Sequence, residues 1–312
     1  MSSDRDPFAW PAVGSESLPW HVPDGGRVSR TQQRRHRGPY TAAVVPQIAQ
    51  RALILPPEVE AEASDASAEL SRFDAEMGGE IAPFGWILLR SESAASSQIE
   101  NLTASARAIA EAELGVSPGR RNANLIIANT KAMEAAIELA DRLDETSILT
   151  MHDVLMKDAE PAIAGRWRTE AVWIGGTAIG PHEADFVPPK FDSVAPAIHD
   201  LVQFMGRDDM PVLPQVAVAH AQFETIHPFP DGNGRTGRAL VQAMLRNKEL
   251  TRNVTIPISA GLLADTEGYF EALTAYRRGD PAAITKELGA AAIRAVENGR
   301  SLVLDLRAIR SS

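Results

Sequence analysis

Apolar residues recur three and four positions apart through most of this chain. Matched to a helical period, they predict helices over 67–77, 84–114, 122–143, 147–156, 191–205, 214–226, 235–246, 266–277 and 281–298. In 214–226 the stripe is Val216, Ala219, Phe223 and Ile226, and Pro228 then removes a backbone donor and stops the helix. Leu240, Val241, Met244 and Leu245 resume the period, so the next helix begins near Gly234. Ala171-Val172-Trp173-Ile174 is β-prone and Gly175-Gly176 supplies a turn, which predicts one short hairpin over 168–180 in an otherwise all-α chain. Residues 1–38 carry Pro7, Pro11, Pro19, Pro23 and Gly25-Gly26 and read as a tail or loosely packed arm. No repeat recurs at a fixed period.

Composition narrows the class. The chain has 312 residues, enough for one or two domains with a substantial core, and a net charge of −10 that argues against broad nucleic-acid binding. Arg27, Arg30, Arg34, Arg35 and Arg37 are a local exception, read as a solvated arm or one packed on an acidic face of the same protein. Cysteine is absent, which excludes disulfides and thiolate chemistry. Runs such as Ile87-Leu88-Leu89 fall far short of the roughly 20 apolar residues that span a bilayer, and the N-terminus lacks the pattern of a secretory signal. The expectation is a cytoplasmic protein with no membrane partner.

The richest segment is His227-Pro228-Phe229-Pro230-Asp231-Gly232-Asn233-Gly234-Arg235-Thr236-Gly237-Arg238. It places a base, a carboxylate suited to a metal, two glycines and two arginines in one turn between helices. Asp231 to Gly234 lies at a helix N-terminus, where unpaired N–H groups and the helix dipole favour a phosphate chain. Gly232 and Gly234 permit positive φ and close approach of a ligand. Gly232 to Gly237 also satisfies G-x-G-x-x-G, but a dinucleotide fingerprint needs a preceding strand, and a helix precedes it instead. Glu224-Thr225-Ile226-His227 matches half of a di-iron bundle site, yet no second copy exists. A plain glycine-rich turn would not need His, Asp, Asn and two Arg together.

The segment resembles the Fic signature, His-x-Phe-x-Asp/Glu-Gly-Asn-Gly-Arg-x-x-Arg, with every fixed position filled. The resemblance extends to Gly165-Arg166-Trp167-Arg168, the stretch from Val172 to Gly176, Pro188-Pro189 and His220, and more loosely over 40–297; it does not cover 1–38. It implies an all-α, Fic-type helical bundle with one β-hairpin flap, divided as a 1–38 arm, a 39–118 helical region with an inhibitory helix, a 119–300 catalytic core and a 301–312 tail. The implied activity is transfer of AMP from Mg-ATP to a Ser, Thr or Tyr hydroxyl of a target protein. By the same resemblance His227 is the general base, Asp231 holds Mg²⁺, and Gly232, Asn233, Gly234, Arg235 and Arg238 bind the nucleotide. Phe229, apolar between polar neighbours, reads as an anchor for the loop.

Two further elements follow from the resemblance. Ser96-Ser97-Gln98-Ile99-Glu100-Asn101 resembles the inhibitory motif Ser/Thr-x-x-x-Glu-Gly/Asn. Glu100, with Ser96 in the same motif, would then pair with Arg238 and occupy the guanidinium that the γ-phosphate needs; the plainer alternative is a Glu on a solvated helix face. Val172, Trp173 and Ile174 match the flap that holds a target segment by strand addition, and a merely structural hairpin packing Trp173 is the alternative. His152 reads as a packed structural histidine. At the same site, AMP removal with Glu100 orienting a water, transfer of another nucleotide or phosphate group, and an inactive nucleotide-binding regulatory module stay open, as do self-modification and a homodimer.

Overall fold

The computed structural model describes residues 9–20, 29, 34–80, 85–114 and 121–311; Pro7, Pro23, Gly25, Gly26, Arg27 and Arg30 lie outside them. The helices are α1 (Pro57–Glu80), α2 (Gly85–Ile99), α3 (Ala106–Glu113), α4 (Arg121–Glu138), α5 (Glu145–Met156), α6 (Val194–Met205), α7 (Val212–Ile226), α8 (Asn233–Asn247), α9 (Ile258–Leu263), α10 (Thr266–Arg277) and α11 (Pro281–Ser311). The all-α class expected from the sequence is the observed one.

The helix ends follow local chemistry. Pro57 opens α1, where its missing N–H costs nothing and Glu58 and Glu60 face the positive end of the dipole. Asp144 and Ser147 cap α5 reciprocally, each side chain taking the other's backbone N–H at 2.9 Å. The single helix expected over 84–114 is broken. Asn101 adopts φ 59°, Leu102 N–H reaches Ser97 O at 3.0 Å and Asn101 N–H reaches Gln98 O at 2.9 Å, so α2 ends in a Schellman turn with Glu100 at its last half-helical position. Ser105 then restarts the chain as α3 by accepting from Ala108 N–H at 3.2 Å. The short helix α9 escaped the sequence pattern because six residues cannot display a period.

The fold is organised around α7. Every residue from Leu213 to Ile226 is buried, so this helix is enclosed on all sides rather than amphipathic as its stripe suggested. Its two glutamines are bonded: Gln215 Nε2 donates to three backbone carbonyls of 204–207, and Gln222 Oε1 accepts from Tyr276 Oη at 2.8 Å. One hydrophobic core joins Leu70 and Phe73 of α1, Leu88 of α2, Phe223 and Ile226 of α7 and Leu288 of α11. It runs without interruption past the 118/119 division drawn from sequence.

The strand pairing lies elsewhere than expected. Gly14–Leu18 (β1) pairs antiparallel with Tyr40–Val44 (β2), from Gly14 opposite Val44 to Leu18 opposite Tyr40. Residues 9–20, read as part of a loose arm, are thus packed. Trp10 lies 6.2 Å from the rings of both Phe204 and Tyr276, and Trp20 meets Tyr40 at 5.8 Å and Trp173 at 5.6 Å. The expected hairpin over 168–180 is reduced to two isolated bridges, Ile174 with Phe186 and Thr177 with Gly180. Positive φ at both Gly175 and Gly176 turns the chain before a ladder can extend.

Candidate active site

α7 ends at His227, whose φ of 49° and ψ of 63° place it in the left-handed region, and Pro228 keeps the helix from continuing. The conformation is held from outside. Arg168, 3% exposed, donates from Nε to His227 O at 2.8 Å and from Nη2 to the carbonyls of Ile226 and Pro189, while its own N–H meets Pro228 O at 2.9 Å. Burial, then the Arg168 and Arg277 cations, push the His227 imidazole down to about 3, so it is neutral at physiological pH. Its Nδ1 is shielded from solvent and has no hydrogen-bond partner.

The loop beyond is pinned by stacking. Phe229 lies on the His152 ring at 3.6 Å and 4°, with Trp167 stacked at 5.0 Å. Gly165 N–H donates to His152 Nδ1 at 3.1 Å, which leaves the proton on Nε2 to be donated to Asp231 O at 3.0 Å. Burial lowers this imidazole to about 4 and keeps it in that neutral tautomer. Asn233, expected to line the cradle, uses its side chain otherwise: Oδ1 accepts from Phe229 N–H and Nδ2 donates to Phe229 O, both at 2.8 Å. The asparagine thereby ties the loop shut, and what it can offer a ligand is its backbone.

Gly232, at φ 78°, caps α8, so the first N–H groups of that helix open on a cleft of about 1140 Å³. Asp231 stands at the mouth with its side chain 58% exposed, its Oδ1 accepting from Gly232 N–H at 2.6 Å and lying 3.8 Å from Arg235 Nη2. Arg235 is 4% exposed, and its Nε and Nη1 have no partner. A buried guanidinium with unmatched donors beside open helix N–H groups is built for an anion. Among the described residues no three His, Asp or Glu side chains converge as a metal cage.

Across the cleft, α2 presents Ser96 and Glu100 to α8. Arg238 Nε donates to Ser96 Oγ at 2.9 Å, and Nη2 donates to Ser96 O at 2.7 Å and Glu100 Oε1 at 2.8 Å. Burial opposes the Arg238 charge, but Glu100, Tyr269 and Glu224 around it outweigh that and raise its pKa. A Cβ at Gly234 would collide with Glu100 Oε1, so the carboxylate lies directly over the helix N-terminus, in the space open to an anion. The seating of α2 is polar. Ser93, Ser96 and Ser97 all face inward, Asn129 Nδ2 donates to Ser93 O and Ser97 Oγ, and Glu92 accepts from Ser259 N–H at 2.7 Å and Oγ at 2.6 Å. Burial raises Glu92 to about 7.

The flap lines the same cleft through Trp173 and Ile174. Ile174 N–H donates to Phe186 O at 2.9 Å and Ile174 O accepts from Asp185 N–H at 2.9 Å, so this residue bonds inward. The Trp173 ring packs on Trp20 and its Nε1 donates to Thr177 O at 2.8 Å, so the side chain is structural.

The Fic/DOC family profile matches residues 142–245, the stretch that holds the base, the cradle and both arginines. That segment is a Fic domain. The chain is 32% identical over 153 residues to the protein adenylyltransferase fic-1 of Caenorhabditis elegans, spanning 45% of this chain and 27% of that protein. It is 26% identical over 183 residues to the protein adenylyltransferase Fic of Nematostella vectensis, spanning 56% of this chain and 39% of that protein. It therefore covers well under half the length of these relatives. In fold it resembles a Fic family protein from Desulfovibrio desulfuricans G20, with a TM-score of 0.63, 23% identity and coverage of 80% of this chain and 76% of that one. Fic-1 of C. elegans gives 0.58 and 21%, covering 80% and 75%.

Two supports of the Fic domain were not assigned roles from sequence. Arg168 was noted for resemblance alone, and its contact with His227 spans 59 positions. His152, read as packed, is packed, and it also orients Asp231 across 79 positions. No local spacing signals either contact.

Proposed function

We propose that this chain transfers AMP from Mg-ATP to a Ser, Thr or Tyr hydroxyl of a target protein and is held inactive by Glu100. The observation that carries this reading is the Glu100 carboxylate lying over the α8 N-terminus and against Arg238, beside a neutral His227. A carboxylate there takes the place of a phosphate oxygen. Once α2 withdraws, the N–H groups of α8, the unmatched donors of Arg235 and the freed Arg238 receive the triphosphate.

His227 holds the remaining role. As a neutral imidazole it can take the proton of an acceptor hydroxyl, and the charge of a bound triphosphate would offset Arg168 and Arg277 and strengthen it as a base. Mg²⁺ fits Asp231 as one exposed carboxylate completed by phosphate oxygens, the arrangement this ion favours; it would supply charge neutralisation on the phosphates. The Trp173 backbone would align the acceptor segment by strand addition. The acceptor identity, self-modification and removal rather than addition of AMP belong to the same chemistry.

The test is incubation with ATP labelled at the α-phosphate and Mg²⁺, comparing wild type with Glu100→Gly, followed by intact mass. Label on protein, with a mass gain of one AMP that increases in the variant, is the expected result. Label absent from both, with the variant folded and ATP bound, would replace this reading with an inactive nucleotide-binding module.

A further inference from the structure

Residues 9–20 lie outside the Fic/DOC match, yet they fasten to two elements that line the active-site cleft. One is the end of α10. Val13 N–H donates to Arg277 O at 2.8 Å, and the Trp10 ring lies 6.2 Å from that of Tyr276. The chain crosses just beyond this helix at Gly279, where φ is 94° and a Cβ would come within 2.9 Å of Trp10 O and 3.3 Å of Ala12 N, so only glycine admits so close a passage. The other element is the flap. Trp20 meets Trp173 edge to face at 5.6 Å, and its second ring contact, Tyr40 at 5.8 Å, belongs to β2. Between the two anchors the segment runs as β1, paired with β2 from Gly14 to Leu18.

These contacts close a circuit. Val13 holds the backbone of Arg277, whose guanidinium lies 3.7 Å over the Phe186 ring. Phe186 O accepts from Ile174 N–H at 2.9 Å, Trp173 beside it packs on Trp20, and β1 leads from Trp20 back to Val13. Elements joined in a ring do not shift independently, because moving one of them alone breaks a link. The circuit bears on catalysis through Arg277, whose charge, with that of Arg168, acts on the His227 imidazole. Arg277 Nε has no hydrogen-bond partner, so its side chain is placed by the Phe186 ring and by the backbone that Val13 holds. We infer that the segment from Trp10 to Trp20 is a strap that positions the active site, Val13 setting Arg277 near His227 and Trp20 setting the flap at the cleft. Val13 and Trp20 are positioning residues, acting through Arg277 and Trp173. The inference rests on His227 serving AMP transfer.

The experiment is hydrogen exchange read by mass spectrometry on the full chain, comparing wild type with Val13→Pro, which deletes the N–H, Val13→Ala, which keeps it, and Trp20→Ala. Val13→Pro should speed exchange of the 172–187 amides about 5- to 10-fold although its lost hydrogen bond is to α10, and Trp20→Ala should do the same at 266–279 although its ring packs on the flap. Val13→Ala should do neither. In the Glu100→Gly background, with α-labelled ATP as the probe, Val13→Pro and Trp20→Ala should lower turnover about tenfold while calorimetric ATP affinity stays within about 3-fold. The effect of Val13→Pro should vanish once Arg277→Met is present, since the two share one link. Exchange that rises evenly over the chain, or only at the element each residue contacts, reduces the strap to a local stabiliser and overturns the inference, as does an ATP affinity that falls in step with turnover. Absence of transfer in Glu100→Gly with the strap intact overturns the AMP reading instead and leaves the exchange result to decide the strap. If Val13→Pro does not fold, Trp20→Ala and its effect at 266–279 carry the test.

Discussion

Glu100→Gly and Arg238→Ala break the same ion pair, yet they should move activity in opposite directions. The Arg238 side chain is 3% exposed and the Glu100 side chain 40% exposed, so the 2.8 Å contact sits between the buried and solvated limits. Two unit charges about 4 Å apart attract by ~1 kcal/mol in water and ~4 kcal/mol at an effective dielectric near 20. Solvent access at Glu100 and desolvation of Arg238 reduce the upper figure, which leaves a coupling of about 1–3 kcal/mol. That corresponds to roughly 5- to 150-fold in the balance between seated and withdrawn α2. Incorporation of α-labelled AMP should therefore rise by about this factor in Glu100→Gly. It should not rise in Arg238→Ala, which frees α2 but deletes the guanidinium meant for the γ-phosphate. In the double variant the gain should disappear. Additive effects across the cycle, or a wild type as active as Glu100→Gly, would refute the switch and return Glu100 to an ordinary helix surface.

Four further outcomes are expected. His227→Ala should lower transfer by about 10²–10⁴ while ATP affinity stays nearly constant, because the base meets the acceptor and not the phosphates; a parallel loss of ATP binding would mark a structural histidine. Asp231→Ala should abolish the Mg²⁺ dependence of transfer, a metal titration being the assay, and activity that survives removal of divalent ions argues against the assignment. Ile174→Pro would break the flap's own bridge to Phe186, so Trp173→Pro tests docking more cleanly: it should cut target modification about tenfold with ATP binding unchanged, whereas Trp173→Phe, which keeps the N–H, should not. Glu92 is raised from 4.5 to about 7 by burial, so its contribution to stability is complete below pH 4.5 and is lost as pH rises through 7. Thermal melts should accordingly show Glu92→Gln gaining on wild type between pH 6 and pH 8; a difference that is flat or reversed with pH contradicts a buried, proton-binding Glu92.

What was legible in the sequence was local. Pro228 ending a helix, Gly232 in the turn before the next, and the convergence of His227, Asp231, Arg235 and Arg238 in twelve residues depend on φ preferences and side-chain chemistry of near neighbours, whereas the break of 84–114 at Asn101 and Ser105 was not read there. The hydrophobic period likewise located most helices, since it records one face of one element. Tertiary structure decided the rest. Whether Glu100 faces solvent or Arg238 is settled by how α2 seats on α8 across 138 positions, and the burial of α7 on every side depends on the helices that surround it. Arg168 and His152, which fix the backbone at His227 and Asp231, act across 59 and 79 positions, and the pairing of β1 with β2 joins strands more than twenty residues apart. Such contacts belong to no single segment: a side chain's partner is chosen by which surfaces pack together, and that choice minimises exposed apolar area and unpaired polar groups over the whole chain at once.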